Sequence, residues 1–212
     1  QHFVADEQGL SPIASNYLLR LLADRHDGVW VSAEYGGVAH IQVMNKGVEH
    51  IYPNGKGRMD KSNVVRMVAK APSGDILVST RDGSLLTYDA AMTTVKSRSH
   101  FDANVYSVMR TATGETLYGT RGKGVQGSAA VPSTGRNVFA MSADRRGRIW
   151  IGTYGSGLTV AEQVSGRWHT RTFFADSVGM NEVRCVRTDR NGYVWIGMTA
   201  GLMVVQPDKF LR

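Results

Sequence analysis

Hydrophobic and polar residues alternate in short runs along nearly all of this 212-residue chain, and glycine-rich turns separate the runs. Alternation with a period of two is typical of β-strands, whereas helices repeat about every 3.6 residues. Glycine is frequent, with 24 residues, and proline is scarce, with 5. The pattern therefore predicts many short strands that are joined by tight turns.

One segment recurs five times, and each copy is anchored by a tryptophan or leucine: Trp30, Leu77, Leu117, Trp150 and Trp195. An alternating run precedes each anchor, and a second glycine-rich turn follows it. A third strand comes next, and most copies then have a fourth that contains an aromatic residue. Four antiparallel strands in about 45 residues form the blade of a propeller. We therefore expect an all-β fold, a β-propeller of about five four-stranded blades.

The repeat frame predicts a single propeller over residues 1–212, with units at approximately 16–62, 63–103, 104–136, 137–180 and 181–212. The third unit is short, and Gln126–Arg136 has too little strand propensity to supply its outer strand. The last unit also lacks a fourth strand. Because His2–Asp6 resembles the end of the fourth unit's outer strand, we predict that residues 1–6 complete and close the last blade. The alternative is a fragment of a larger propeller.

The run Tyr17–Ala23 is rich in leucine, which favours helices. The repeat nevertheless aligns it with Val64–Val68 and Glu182–Val186, whose β-branched residues favour strands. We therefore predict a strand there as well. Hairpin turns are predicted at the aspartates that lie six residues before the tryptophans: Asp24, Asp144 and Asp189.

Composition narrows the classes of partner. The formal net charge of +7 favours anionic partners, but the basic residues are scattered and no nucleic-acid-reading motif is present, so we predict no nucleic-acid binding. No apolar run approaches the ~20 residues of a membrane span, so we expect no membrane contact by this segment. The one cysteine, Cys185, excludes a disulfide within the chain, and its apolar surroundings predict a packed side chain.

Catalytic chemistry is not indicated. The chain has neither a His-Glu-x-x-His metal motif nor a Gly-x-Ser-x-Gly nucleophile motif. The repeat places four histidines on third or fourth strands, away from the propeller axis: His40, His50, His100 and His169. We therefore predict no catalytic residues, no metal and no cofactor. A propeller lyase remains a remote alternative.

Two segments, Asn137–Leu158 and Asn181–Leu202, share the pattern Asp-Arg-x-Gly-x-(Ile/Val)-Trp-Ile-Gly followed by Gly-Leu. With these motifs the chain resembles the two-component regulator propeller repeat, found in the periplasmic sensor region of bacterial hybrid two-component systems. The resemblance implies a periplasmic location and a signal that passes to a histidine kinase part absent from this chain. It also implies recognition of an oligosaccharide or another small molecule.

The ligand site is predicted at the turns that follow the second strand of each blade, because these turns open around the central channel of a propeller. The predicted ligand-binding residues in these turns are Tyr35, Arg81, Arg121, Lys123 and Tyr154. Aromatic rings stack on sugars, and arginine binds carboxylate or sulfate with two hydrogen bonds. Regularly spaced asparagines are instead expected to cap turns, and the tryptophans to form the core between blades. A protein-interaction scaffold, including a homodimer, is the alternative function.

Overall fold

The computed structural model describes residues 13, 15–24, 28–42, 48–55, 60–128, 131–132 and 135–212. Within these residues the regular structure is almost entirely β-strand. The strands form five consecutive antiparallel sheets, in which neighbours in sequence are neighbours in space. Sheets of this kind, repeated along a chain, are propeller blades. The predicted all-β, five-bladed propeller is therefore confirmed.

The chain divides into two compact units, of which the first is Gln1–Val105. The first blade has four strands: β1 (Leu18–Ala23), β2 (Gly28–Ala33), β3 (Val38–Gln42) and β4 (Val48–Ile51). A short 3₁₀ turn at Lys61–Asn63 leads into the next blade. The second blade also has four strands: β5 (Val65–Lys70), β6 (Ile76–Thr80), β7 (Ser84–Tyr88) and β8 (Val95–His100).

The second unit is Tyr106–Arg212. The third blade has three described strands: β9 (Asn104–Arg110), β10 (Thr116–Arg121) and β11 (Gly124–Gly127). The fourth blade is complete: β12 (Val138–Ala143), β13 (Ile149–Thr153), β14 (Leu158–Val164) and β15 (Arg167–Phe173). The fifth blade has three described strands and a terminal helical turn: β16 (Val183–Thr188), β17 (Val194–Met198), β18 (Gly201–Val205) and α1 (Pro207–Phe210).

Two local predictions are confirmed. The leucine-rich run is the strand β1, and the third blade lacks a described outer strand. The strand predicted at residues 1–6 lies outside the described residues. The helical turn α1 was not predicted, and it begins at Pro207, a residue that suits the first helical position. Its Phe210 ring lies 4.6 Å from the Phe173 ring and 5.8 Å from the Trp150 ring, centroid to centroid.

The core of the second unit lies between successive blades. Trp150 and Leu158 of the fourth blade are fully buried in one cluster with Val183 and Val186 of β16. The absence of a side chain at Gly152 permits this close approach, because a Cβ atom there would lie 2.5 Å from Cγ1 of Val183. The apolar face of the fourth blade is therefore covered by the first strand of the blade that follows it.

The prediction that the three repeat tryptophans are core is confirmed for Trp30 and Trp150 and is wrong for Trp195, which is 40% exposed. The predicted packing of Cys185 is also wrong, since this residue is exposed. The cause is the face of the sheet that each residue occupies. Val186 pairs with Ile196 in the buried row, whereas Cys185 and Trp195 point to the opposite face.

A single carboxylate closes the hairpin that carries each of the three repeat tryptophans, Trp30, Trp150 and Trp195. Asp144 accepts hydrogen bonds from the backbone N–H groups of Arg146 and Arg148 through Oδ1, and from the Trp150 indole through Oδ2 at 3.0 Å. The same indole-to-carboxylate hydrogen bond joins two further pairs: Trp30 with Asp24, and Trp195 with Asp189. The predicted aspartate turns are thus confirmed, and they also hold the indole rings in place.

Candidate functional site

The turn after the second strand lies beside the start of the first strand in the same blade. The N–H of Arg81 donates to the carbonyl of Val64 at 2.8 Å, and the N–H of Tyr154 donates to the carbonyl of Asn137 at 2.9 Å. Equivalent hydrogen bonds occur in the first and last blades, from Glu34 to Tyr17 and from Thr199 to Glu182. In these four blades the two sets of residues therefore share one edge, as the sequence predicts.

In the second unit these turns also contact the next blade. The N–H groups of Gly155 and Gly157 both donate to the carbonyl of Asn181 at 2.9 Å, and Tyr154 forms an isolated β-bridge with Glu182. Arg121 forms the corresponding bridge with Asn137, one blade earlier. A side chain that follows a second strand is thus held next to the entrance of the following blade.

The five predicted ligand residues occupy this edge of their blades, and all are exposed. In the first unit, Tyr35 lies in the turn after β2 and Arg81 directly follows β6. In the second unit, Arg121 ends β10, Lys123 lies in the next turn and Tyr154 directly follows β13. The structure gives Tyr154 a defined set of side-chain contacts. Ligand binding by all five residues, Tyr154 included, stays a prediction.

The partners of Tyr154 come from irregularities in the first strands. Pairing between the first and second strands skips one residue in the first, second, fourth and fifth blades: Leu19, Arg66, Phe139 and Arg184. A bulge of this kind re-aims the side chain of the extra residue, and bulges are common beside functional sites. The sequence reasoning missed these residues because it assumed regular alternation. The three-residue spacing of the buried Val183 and Val186 is the signal that reveals the bulge.

Two bulged residues of the second unit, Phe139 and Arg184, form a row with Tyr106 and Tyr154, and we call these four residues the aromatic row. The Phe139 ring centroid lies 4.3 Å from that of Tyr106 and 5.6 Å from that of Tyr154. Arg184 covers the far end, with Cζ 4.4 Å from the Tyr154 centroid and 5.9 Å from the Phe139 centroid. These distances are typical of aromatic and cation–π contacts.

Exposure and polar groups change along the aromatic row. Tyr106 is buried, Tyr154 is 37% exposed and the Arg184 side chain is 52% exposed. Beside Arg184 lies the carboxylate of Glu182, with an N–O distance of 3.9 Å. That carboxylate also accepts a hydrogen bond from the Thr199 hydroxyl at 2.6 Å. The row therefore ends in a partly exposed tyrosine ring, a cation, a carboxylate and a hydroxyl, which together can bind a polar ring-shaped molecule.

Asn63 and His40 make structural contacts outside the aromatic row. The buried Asn63 donates to the carbonyl of Gly55 and accepts the N–H of Asn54, so it caps the turn that follows β4. His40 stacks on Trp30, with ring centroids 3.8 Å apart, and its Nε2 lies 3.0 Å from Oδ2 of Asp24. This histidine supports the hairpin that carries Trp30.

No helix within the described part of the chain is long and apolar enough to cross a membrane. Across the same residues, histidine, cysteine and acidic side chains form no group of three or more that could hold a metal ion.

Comparison with known proteins agrees with the resemblance that the sequence indicated. Residues 132–155, which include Trp150 and Tyr154, match the family model described as two component regulator propeller. This match confirms the resemblance to the two-component regulator propeller repeat that the sequence motifs indicated. No curated protein matches the sequence.

Solved structures provide a second comparison. The extracellular domain of the putative hybrid two component system BT3049 from B. thetaiotaomicron is 19% identical, with a TM-score of 0.72, over 100% of this chain and 30% of that chain. The corresponding domain of BT4673 from the same organism is 16% identical, with a TM-score of 0.65, over 89% and 27%. PorZ of Porphyromonas gingivalis is 17% identical, with a TM-score of 0.60, over 89% and 32%. These likenesses show the fold, and in each case the chain spans less than a third of the solved chain.

Proposed function

We propose that this propeller is the extracytoplasmic ligand-sensing part of a two-component system and that it recognises an oligosaccharide. Two observations support the class of system. Residues 132–155 match the two component regulator propeller, and similar solved structures are extracellular domains of hybrid two component systems. In such a system, ligand binding on the propeller is passed to a kinase part elsewhere in the protein.

The observation that carries the ligand proposal is the aromatic row with its exposed Tyr154 and Arg184. Aromatic rings offer flat apolar surfaces, which suit the apolar faces of sugar rings. The guanidinium group can donate two parallel hydrogen bonds to a carboxylate or sulfate. The net charge of +7 adds long-range attraction for an anion. An acidic oligosaccharide fits these features best.

Isothermal titration calorimetry with neutral, carboxylated and sulfated oligosaccharides tests the proposal. We expect an acidic oligosaccharide to bind, and Arg184→Ala to weaken it at least about tenfold, since a hydrogen bond to a charged group contributes about 1.5–3 kcal/mol. Tyr154→Ala is expected to weaken binding of both neutral and acidic forms. Unchanged affinity in both variants would contradict the proposed site.

The chain offers a matched control for each substitution. Tyr193 is 36% exposed, nearly the same as Tyr154, but it directly precedes β17 at the other end of the blade. Arg187 is exposed on the same strand as Arg184. Tyr193→Ala and Arg187→Ala should leave affinity unchanged. Applying the same titration to Arg81→Ala and Arg121→Ala tests those predicted contacts, and unchanged affinity there would remove them from the site.

A further inference from the structure

A cavity of about 380 Å³ lies between the fourth blade and the terminal helical turn α1. Sites for small molecules usually measure ~300–1,000 Å³, so this cavity has room for one. Asp208 of α1 and Leu211 line one side of it. Arg146, in the turn between β12 and β13, lines another side. That turn is at the opposite end of β13 from Tyr154, so the cavity is separate from the aromatic row.

One face of the fourth blade lines the cavity. Val160 pairs with Arg171, and Glu162 pairs with His169. Directly paired residues share a face of a sheet, as do residues two apart in one strand, so these four side chains lie on the same side. The turn α1 packs over the neighbouring part of this face through the ring of Phe210. The part of the face beyond that ring remains open to the cavity.

Positive charge predominates in the lining. Among the described residues around the cavity, two side chains are carboxylates, Glu162 and Asp208, and four are guanidinium groups: Arg146, Arg148, Arg171 and Arg212. A concave surface with an excess of one charge attracts ligands of the opposite charge. The cavity therefore favours an anion.

The carboxylate of Asp208 shows how these arginines hold an anion. Arg146 contacts its Oδ2 and Arg148 contacts its Oδ1, each with an N–O distance of 2.8 Å. The side chain of Arg148 is buried and is also bound to Asp144, so the β12–β13 hairpin fixes its position. The side chains of Arg146 and Asp208 are 65% and 49% exposed. An anion from solution can therefore compete with Asp208 for Arg146.

Arg171 adds a cation that no carboxylate neutralises within the described part of the chain. Its guanidinium group donates to the carbonyl of Leu211, and its Cζ lies 5.3 Å from the centroid of the Phe173 ring. Both partners are uncharged, and they hold the guanidinium group beside the cavity. A guanidinium group that is held in this way can give two parallel hydrogen bonds to a phosphate.

The blade repeat does not require these cations. Arg148 lies two residues before its tryptophan, where the first blade has Gly28 and the fifth has Tyr193. Arg171 holds the cross-strand position that Ser97 holds in the second blade. The arginines are thus features of the fourth blade alone, and strand pairing does not account for them.

We propose that this cavity binds a small molecule through a phosphate group, free or esterified, with Arg146 and Arg171 as the charged contacts. A tetrahedral phosphate has more acceptor oxygens and more charge than a carboxylate, so it can accept hydrogen bonds from guanidinium groups on both sides of the cavity. Asp208 is the internal competitor for this site. The proposal does not depend on the oligosaccharide proposal.

Isothermal titration calorimetry at constant ionic strength tests this site, since salt screens charge attraction. The probes are inorganic pyrophosphate for free phosphate, glycerol 3-phosphate for an ester, and glycerol for the uncharged part. We expect one or both phosphates to bind and glycerol not to bind. Arg171→Ala should weaken phosphate binding at least about tenfold, because it removes hydrogen bonds between charged groups. Asp208→Asn should strengthen it about two- to fivefold, because it removes a partly exposed competing charge.

Lys209 provides a matched control. It lies in the same helical turn as Asp208 but does not line the cavity, so Lys209→Ala should leave phosphate affinity unchanged. Circular dichroism verifies that each variant is folded. Three results would overturn the proposal: no binding of either phosphate to the unsubstituted chain, weaker binding in folded Asp208→Asn, or equal losses in Arg171→Ala and Lys209→Ala. Loss of binding in Arg184→Ala but not in Arg171→Ala would place the anion at the aromatic row instead.

Discussion

The carboxylate of Asp144 is expected to be among the most sensitive positions in the second unit. It is 1% exposed and accepts four hydrogen bonds: from the N–H groups of Arg146 and Arg148, from Nε of Arg148 at 2.7 Å and from the Trp150 indole. The Arg148 side chain is only 7% exposed. Asp144→Ala therefore leaves a buried guanidinium and a buried indole N–H with fewer acceptors.

The size of the effect follows from these contacts. Removal of one partner from a buried ion pair costs about 3–5 kcal/mol, and an unsatisfied buried donor costs about 1–3 kcal/mol. Arg148 keeps its contact with Asp208 at 2.8 Å, which reduces the loss. We expect a decrease of about 4 kcal/mol in the free energy of unfolding. That is a large fraction of the total stability of about 5–15 kcal/mol that is usual for a domain.

Urea unfolding followed by tryptophan fluorescence measures this decrease. Asp189→Ala is the matched control, because Asp189 makes the equivalent indole hydrogen bond but is solvent-accessible and contacts no buried arginine within its hairpin in the described chain. Its effect should be much smaller. The double variant Asp144→Ala/Arg148→Met should recover part of the loss, since it removes the stranded charge. Equal effects of Asp144→Ala and Asp189→Ala would refute the reasoning.

Three further predictions concern packing, pH and thiol reactivity. Gly152→Ala should lower stability by about 1–3 kcal/mol in thermal unfolding, because the new methyl group would overlap Val183, and an unchanged Tm would contradict this. The Trp195 indole hydrogen bond lowers the pKa of Asp189. The ionised Asp189 carboxylate should stabilise the fold fully above the unfolded pKa of about 3.9, and this stabilisation should be lost as pH falls through the lower folded pKa. In Asp189→Asn, the urea midpoint should therefore depend less on pH in that range. Exposed Cys185 should react with a thiol reagent in dilute native protein, and no reaction before denaturation would contradict its placement.

The sequence predicts the blades well because their determinants are local. Asp144 and Gly147 define a hairpin turn by side-chain hydrogen bonding and by a positive φ of 78°, and neither property depends on the rest of the fold. The secondary structure of the leucine-rich run is ambiguous from propensity alone, but its alignment with the other repeats identifies it as a strand, which is β1. Local propensity and repetition together therefore give the strand order and the short third blade.

The candidate site is harder to predict because it depends on bulges and on neighbouring blades. Alternation with a period of two places Phe139 and Arg184 within regular strands, whereas the bulge turns them towards Tyr154. Tyr154 can be found from the sequence because it follows a second strand, a position that the repeat defines. The exposure of Trp195 could not be predicted, since its motif is the same as that of the buried Trp150.

The bulge in these first strands separates the residues that pack in the core from the residue that is free to vary for ligand contact. Because the skipped residue is outside the pairing register, its identity does not determine how the first and second strands of a blade pair. The buried positions on either side, such as Val183 and Val186, can stay constant while this one position varies. The four skipped residues in this chain already include an aliphatic, an aromatic and two cationic side chains. A repeat built in this way can acquire a new ligand preference by single substitutions while its scaffold remains unchanged.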